Sequence, residues 1–213
     1  YLELKKQLVN EGIKFNTTSD TEVLFKLLII KGIRETLNII QGMFSFVFYD
    51  SKKKKIIGAR DHFGQKPFYY YKSNNEFLAS TNIHPILKNI KKKTKNLNIE
   101  SVKQYLCSNG IIPPSKTFFK EISALPAGSY IISYKDKFII KKYFKPIDLF
   151  NKKKYLELKN ADEEKIINLL DLKIKKAVER HLISDAKLAV TCSGGIDSSL
   201  ITKYVNEKDK TIS

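Results

Sequence analysis

Hydrophobic and polar positions change period several times along the chain, and each change predicts an element. Residues 3–10 place Leu4, Leu8 and Val9 on one face of a short amphipathic helix. Ser19-Asp20-Thr21-Glu22 has the form of a capping box, with Ser19 as N-cap and Glu22 reaching back to it. The helix it opens carries Val23, Leu24, Leu27, Leu28 and Ile30 and stops at Gly32. From Gln41 the helical period gives way. Residues 43–49 are a nearly continuous apolar and aromatic run, the pattern of a strand covered on both faces. Strands over 55–60, 68–71 and 77–80 follow, set off by Asp50-Ser51-Lys52 and Ser73-Asn74-Asn75, and the four read as an antiparallel meander. Short helices over 83–90 and 99–107 precede a hairpin of 128–134 and 138–144, turned at Lys135-Asp136-Lys137.

A second pattern begins further on. Residues 146–160 are polar, lysine-rich and aperiodic, and read as a linker between a first domain over 1–145 and a second over 161–213. Residues 162–182 repeat apolar side chains at helical spacing through Ile166, Leu170, Ile174, Ala177, Val178 and Leu182. Asp162, Glu163 and Glu164 suit the positive end of that helix. A short apolar strand over 187–192 and a helix over 197–206 complete a helix-strand-helix order, which belongs to a parallel α/β sheet. No internal repeat is visible.

Composition narrows the class. Hydrophobic residues make up 42% and charged residues 29% of 213 residues, as in a globular protein with a substantial core. No apolar run approaches the roughly 20 residues of a membrane span, so no membrane partner is expected. The net charge of +17 raises nucleic acid as a partner. However, only Arg34, Arg60 and Arg180 are arginines, and the lysine runs 52–55, 91–93 and 152–154 each stand beside a turn or linker. Without an arginine stripe for bidentate recognition, the charge reads as a solvated lysine surface and no specific nucleic-acid binding is expected. The two cysteines, Cys107 and Cys192, are too few for a disulfide framework and fit a reducing cytoplasm. The opening at Tyr1, with no signal-peptide pattern, and the stop at Ser213 after a helical stretch read as an internal fragment of a longer protein.

The strongest chemical signal is Thr191-Cys192-Ser193-Gly194-Gly195-Ile196-Asp197-Ser198-Ser199, set between the expected strand and helix. Two glycines let the backbone turn sharply and approach a ligand. The helix behind them directs free N–H groups at the loop, and Ser193, Ser198 and Ser199 add hydroxyl donors. This is a cradle for phosphates, but not the G-x-x-x-x-G-K-[ST] loop. It contains no lysine, and the acid Asp197 beside a polyphosphate makes sense with Mg²⁺ bridging them. Taken alone, a Ser-Gly-Gly string would be only a tight turn and cap. His62 has no second ligand at metal spacing, Arg60-Asp61 reads as a strand-end ion pair with turn chemistry, and the aromatics Phe44, Phe46, Phe48 and Tyr69 to Tyr71 read as sheet core. Cys192 reads as a buried strand-end residue and Cys107 as core.

The Ser-Gly-Gly-x-Asp-Ser string resembles the pyrophosphate loop of the N-type ATP pyrophosphatases. Upstream, residues 42–50 (GMFSFVFYD), 60–70 (RDHFGQKPFYY), 18–22 (TSDTE) and 125–130 (LPAGSY), with 178–185 (VERHLISD), resemble class B glutamine-hydrolysing asparagine synthetases over nearly the whole chain. That resemblance implies an α+β Ntn-hydrolase type layered sandwich, incomplete at its start, followed by the opening of an α/β Rossmann-like ATP pyrophosphatase domain. It implies glutamine, aspartate and ATP as partners, with Mg²⁺, and asparagine, glutamate, AMP and pyrophosphate as products. By the same resemblance Asp20 holds glutamine's α-amino group, while Thr191, Ser193, Gly194, Gly195, Asp197 and Ser198 bind ATP. Thr191 stands where the family usually has leucine, which a backbone contact would tolerate. The nucleophilic cysteine of the family would lie upstream of Tyr1, so residues 1–213 alone are expected not to hydrolyse glutamine. A homodimer is left open, as are an amidotransferase with another acceptor acid, such as a sugar or peptide acid, and a β-lactam synthetase-like enzyme.

Overall fold

The computed structural model describes residues 1–74, 76–90, 96–135, 137–184 and 186–208. Asn75, Asp136, Asp185 and the lysine run 91–93 lie outside them. The chain divides into two compact units, Tyr1–Asp148 and Leu149–Ser213.

The first unit opens with helices α1 (Leu2–Asn10), α2 (Asp20–Ile30) and α3 (Gly32–Ile39). Strands β1 (Ser45–Asp50) and β2 (Lys55–Arg60) follow, then β3 (Tyr69–Lys72) and β4 (Phe77–Ser80). After α4 (Ile83–Asn89) and α5 (Ile99–Cys107) come β5 (Ile122–Ala124), β6 (Ser129–Tyr134) and β7 (Lys137–Lys142). The expected meander is not what forms. The strands divide into two antiparallel sheets, ordered β1-β2-β6-β7 and β4-β3-β5. β2 takes β6 as its second neighbour, with Ala59 opposite Tyr130, and β3 takes β5, with Tyr71 opposite Ile122. These partners lie more than 50 residues apart in sequence, beyond the reach of turn signals.

Side-chain alternation stacks the unit in layers. One face of the larger sheet, through Ala59, Tyr130, Phe46 and Ile132, packs on Leu37 and Ile33 of α3. Its other face, through Ile131 and Phe138, packs on Phe68, Tyr70, Phe77, Ala79 and Leu125 of the smaller sheet. The far face of the smaller sheet, through Tyr69, Tyr71, Leu78 and Ile122, meets Ile83, Ile86 and Leu87 of α4. The result is a helix/sheet/sheet/helix sandwich, the layered α+β architecture expected from the resemblance. The sheets come close because β2 carries Gly58 where the Phe68 ring lies over the strand. A Cβ there would sit 2.6 Å from the ring's Cζ, and that ring is 2% exposed.

Four local expectations are corrected. β1 is not covered on both faces: Val47 and Tyr49 are 51% and 54% exposed, because β1 is the outer strand and the smaller sheet covers β6 and β7 instead. Cys107 is exposed rather than core. α5 is anchored through Ser101, and Cys107 stands six residues on, about 240° round the helix. Residues 152–159, expected as aperiodic linker, form helix α6 (Lys152–Lys159) after a 3-10 turn at Pro146–Leu149. The Asn151 side chain caps α6 at the Lys154 N–H (3.0 Å), and Lys, Leu and Glu are good helix formers. None of its residues is buried, so no apolar period marked it. The capping box at α2 is half made: Ser19 accepts from the Thr21 N–H, while Glu22 turns to the loop before it.

The second unit holds α6, α7 (Glu163–His181) and α8 (Ile196–Lys208). Asp162 caps α7 through the Lys165 N–H (2.8 Å). α7 and α8 are joined by Tyr204 donating to the Asp171 carboxylate and by Lys175 bonded to Glu207 (3.0 Å). Of the expected stripe on α7, Ile174 and Val178 are half-buried, whereas Ile166 and Leu170 are 40% and 58% exposed. Residues 187–192 form no strand. A strand is held by its ladder, and no described segment offers one. No described helix is long and apolar enough to cross a membrane.

Candidate functional site

Asp20 is the first residue of α2, immediately after the N-cap Ser19. Its exposed carboxylate accepts from the hydroxyls of Thr21 (3.2 Å) and Ser19 (3.4 Å), contacts with its own neighbours. The stronger local device is one residue pair further on. Glu22 accepts from the Thr17 N–H and hydroxyl (both 2.7 Å) and from the Asn16 N–H (3.0 Å). These bonds, the Thr17 hydroxyl first and the Asn16 N–H next, hold the Glu22 carboxyl below its ordinary 4.5. Glu22 thus fixes the loop that delivers Asp20. The box pattern flagged Glu22 but assigned it the wrong donor, because sequence spacing does not reveal how the preceding loop folds back.

A carboxyl with a lowered folded pKa stabilises above its unfolded value, and that contribution disappears as pH falls through the folded one. The tether at residues 16–20 is therefore expected to persist at pH 4.5 and to be lost only at lower pH. A carbon-13 NMR titration of Glu22, read with amide exchange at Asn16 and Thr17, checks this. A Glu22 midpoint at or above 4.5 would remove the assignment.

Arg60 and Asp61 do not form the expected ion pair. The Arg60 guanidinium donates to the carbonyls of Lys66 (2.8 Å), Gly64 (2.8 Å) and Leu125 (2.7 Å). Asp61, 0% exposed, accepts from the N–H groups of Phe63 (3.2 Å), Gln65 (2.9 Å) and Lys66 (2.9 Å). Its own carbonyl receives the Gly128 N–H (2.8 Å). The string RDHFGQKP is therefore a knot between the sheets. His62 beside it is packed edge-on against Tyr143 and Phe144, at 5.2 and 4.8 Å between centroids, and burial lowers its pKa while Asp61 offsets part of the change.

In the second unit, Ser193, Gly194, Gly195, Asp197 and Ser198 come together at the start of α8. Gly194 has φ +81°, a conformation other residues rarely adopt. A Cβ on Gly195 would meet nothing closer than the Ser193 hydroxyl at 3.7 Å, so the space above the helix end is open to a ligand. The first bond of the helix runs from the Ser199 N–H to the Gly195 carbonyl (3.0 Å). The N–H groups of residues 196–198 precede it and point out of the helix end, where the helix dipole favours an anion. The Ser193 and Ser198 hydroxyls lie 3.0 Å apart at the same end, and Asp197 is exposed in the first turn. Oxygen donors of this kind fit a polyphosphate with Mg²⁺, which takes few carboxylates and keeps phosphate oxygens. Thr191 stands in the segment entering the loop, outside its hydrogen bonds. Cys192, expected as buried, is exposed, because the strand that would have covered it is not formed. Its thiol is lowered in pKa by the Gly194 N–H first and then by the Ser199 and Ser198 hydroxyls.

The family model described as a glutamine amidotransferase domain matches residues 1–144, and that described as asparagine synthase matches residues 169–213. The putative glutamine-hydrolyzing asparagine synthetase 2 of Methanocaldococcus jannaschii is 34% identical over 213 residues, an overlap of 97% of this chain and 38% of that protein. Glutamine-hydrolyzing asparagine synthetase 1 of Bacillus subtilis is 29% identical over 97% of this chain and 31% of its own length. Amidase chyE of Penicillium rubens is 29% identical over 94% of this chain and 28% of its own. With the amidotransferase match spanning the layered first unit, the chain belongs to the glutamine amidotransferase domain family, and across α7 and the α8 loop it is similar to asparagine synthase.

Proposed function

We propose that the protein makes asparagine from aspartate, with ATP as activator and glutamine as the source of nitrogen. The observation that carries this reading is the serine-glycine cradle at the N-terminus of α8 on the same chain as an amidotransferase domain. In the proposed reaction the side-chain carboxylate of aspartate attacks the α-phosphorus of ATP and pyrophosphate leaves. Ammonia from glutamine then attacks the activated acyl carbon and AMP leaves. Ser193, Ser198 and the N–H groups of residues 196–198 receive the charge that builds on the departing pyrophosphate. Asp197 is the carboxylate that would hold Mg²⁺ against those phosphates. Asp20 would receive glutamine's ammonium group.

Asp20→Ala in the full-length protein tests the glutamine half. Loss of a charge-assisted hydrogen bond is expected to weaken glutamine use by roughly ten- to hundredfold while ammonia-dependent synthesis is spared. Steady-state kinetics with each nitrogen donor measure this. Unchanged glutamine kinetics with a less stable α2 would reduce Asp20 to a helix cap.

A further inference from the structure

A groove of about 340 Å³ opens between the first three helices, and Asp20 is not among its lining residues. Its floor is Leu8 and Leu27, each 1% exposed. One wall is a face of α1 and its C-cap, where Gln7 and Glu11 stand four residues apart. The other is one face of α3 and its entry, where Lys31, Glu35 and Asn38 follow at helical spacing. Among the described residues none of these five polar side chains has a hydrogen-bond or ion-pair partner. Two carboxylates, one ammonium and two carboxamides thus line one groove over an aliphatic floor. The volume is that of a small-molecule pocket.

The charges select the ligand class. Two carboxylates against one lysine disfavour a phosphate-bearing ligand and favour an ammonium. Lys31 offers the counterpart for a carboxylate, and the leucine floor for an aliphatic group. We infer that this groove is a binding site for a zwitterionic amino acid with an aliphatic side chain, separate from the glutamine position at Asp20. The ammonium lies toward Glu11 and Glu35, the carboxylate toward Lys31, and the side chain on Leu8 and Leu27.

Isothermal titration of the full-length protein with L-leucine tests this, beside isopentylamine, which lacks the carboxylate, and isocaproate, which lacks the ammonium. Each truncated ligand is expected to bind at least about tenfold more weakly than leucine, as is leucine to Glu35→Gln or Lys31→Met. Asp20→Ala is expected to leave leucine binding unchanged. The inference is overturned if leucine does not bind the unaltered protein, if Glu35→Gln and Lys31→Met bind it as well as the unaltered protein does, or if Asp20→Ala abolishes binding. The last outcome would place leucine in the glutamine site and leave the proposed function untouched.

Discussion

Asp197→Asn in the full-length protein is expected to lower ATP-dependent adenylation by about a hundredfold or more while glutamine hydrolysis continues. The carboxylate stands in the first turn of α8, beside the free N–H groups of the helix end. Without it a divalent ion that would neutralise the departing pyrophosphate would lose its protein anchor, and such charge stabilisation is worth several kcal/mol in the transition state. Asparagine retains the size of the side chain and its capacity to accept at a helix start, so the fold of the loop should survive. Pyrophosphate release and glutamate release, measured side by side, separate the two activities. Parallel loss of both in a folded variant would count against Asp197 as the metal-holding carboxylate.

Asp61→Ala is expected to destabilise the first unit by about 3–5 kcal/mol, enough to leave much of the protein unfolded. The substitution removes a fully buried side chain and, with it, the acceptor of three N–H groups. It also loosens the loop that supplies acceptors to Arg60. Asp61→Asn keeps an acceptor for part of this set and should recover some of the loss. Urea unfolding of the three proteins measures the order. An Asp61→Ala protein as stable as the parent would mean that the knot contributes nothing to the fold.

Much of the first unit was legible in the sequence because its elements are marked locally. β2 and β4 carry apolar runs bounded by turn residues, and their limits are those the pattern predicts. The α8 loop was equally legible, since glycine, serine and a following helix all act within nine residues. What the sequence hid was long-range or supported by polar groups. The choice of β6 as partner for β2 depends on residues some 70 positions away. The Arg60–Asp61 knot looked like an ion pair because charge is visible in a sequence and backbone acceptors are not. α6 was hidden because a helix that buries nothing leaves no apolar period. The groove between α1 and α3 was hidden for a related reason: its charged residues sit at ordinary helix-surface spacing, and only the packing of the helices puts them around one groove.

The knot has a consequence for how the first unit reaches its folded state. Arg60 and Asp61 end one sheet at β2, yet bond to Leu125 and Gly128, which close β5 and open β6. Both crossovers between the sheets are therefore pinned at one place by groups more than 60 residues apart. Neither sheet can acquire its full set of bonds before the other has found its register. The sandwich accordingly belongs among high-contact-order topologies, which fold slowly and as one cooperative block, and its two sheets should exchange their amide protons through a common opening rather than separately.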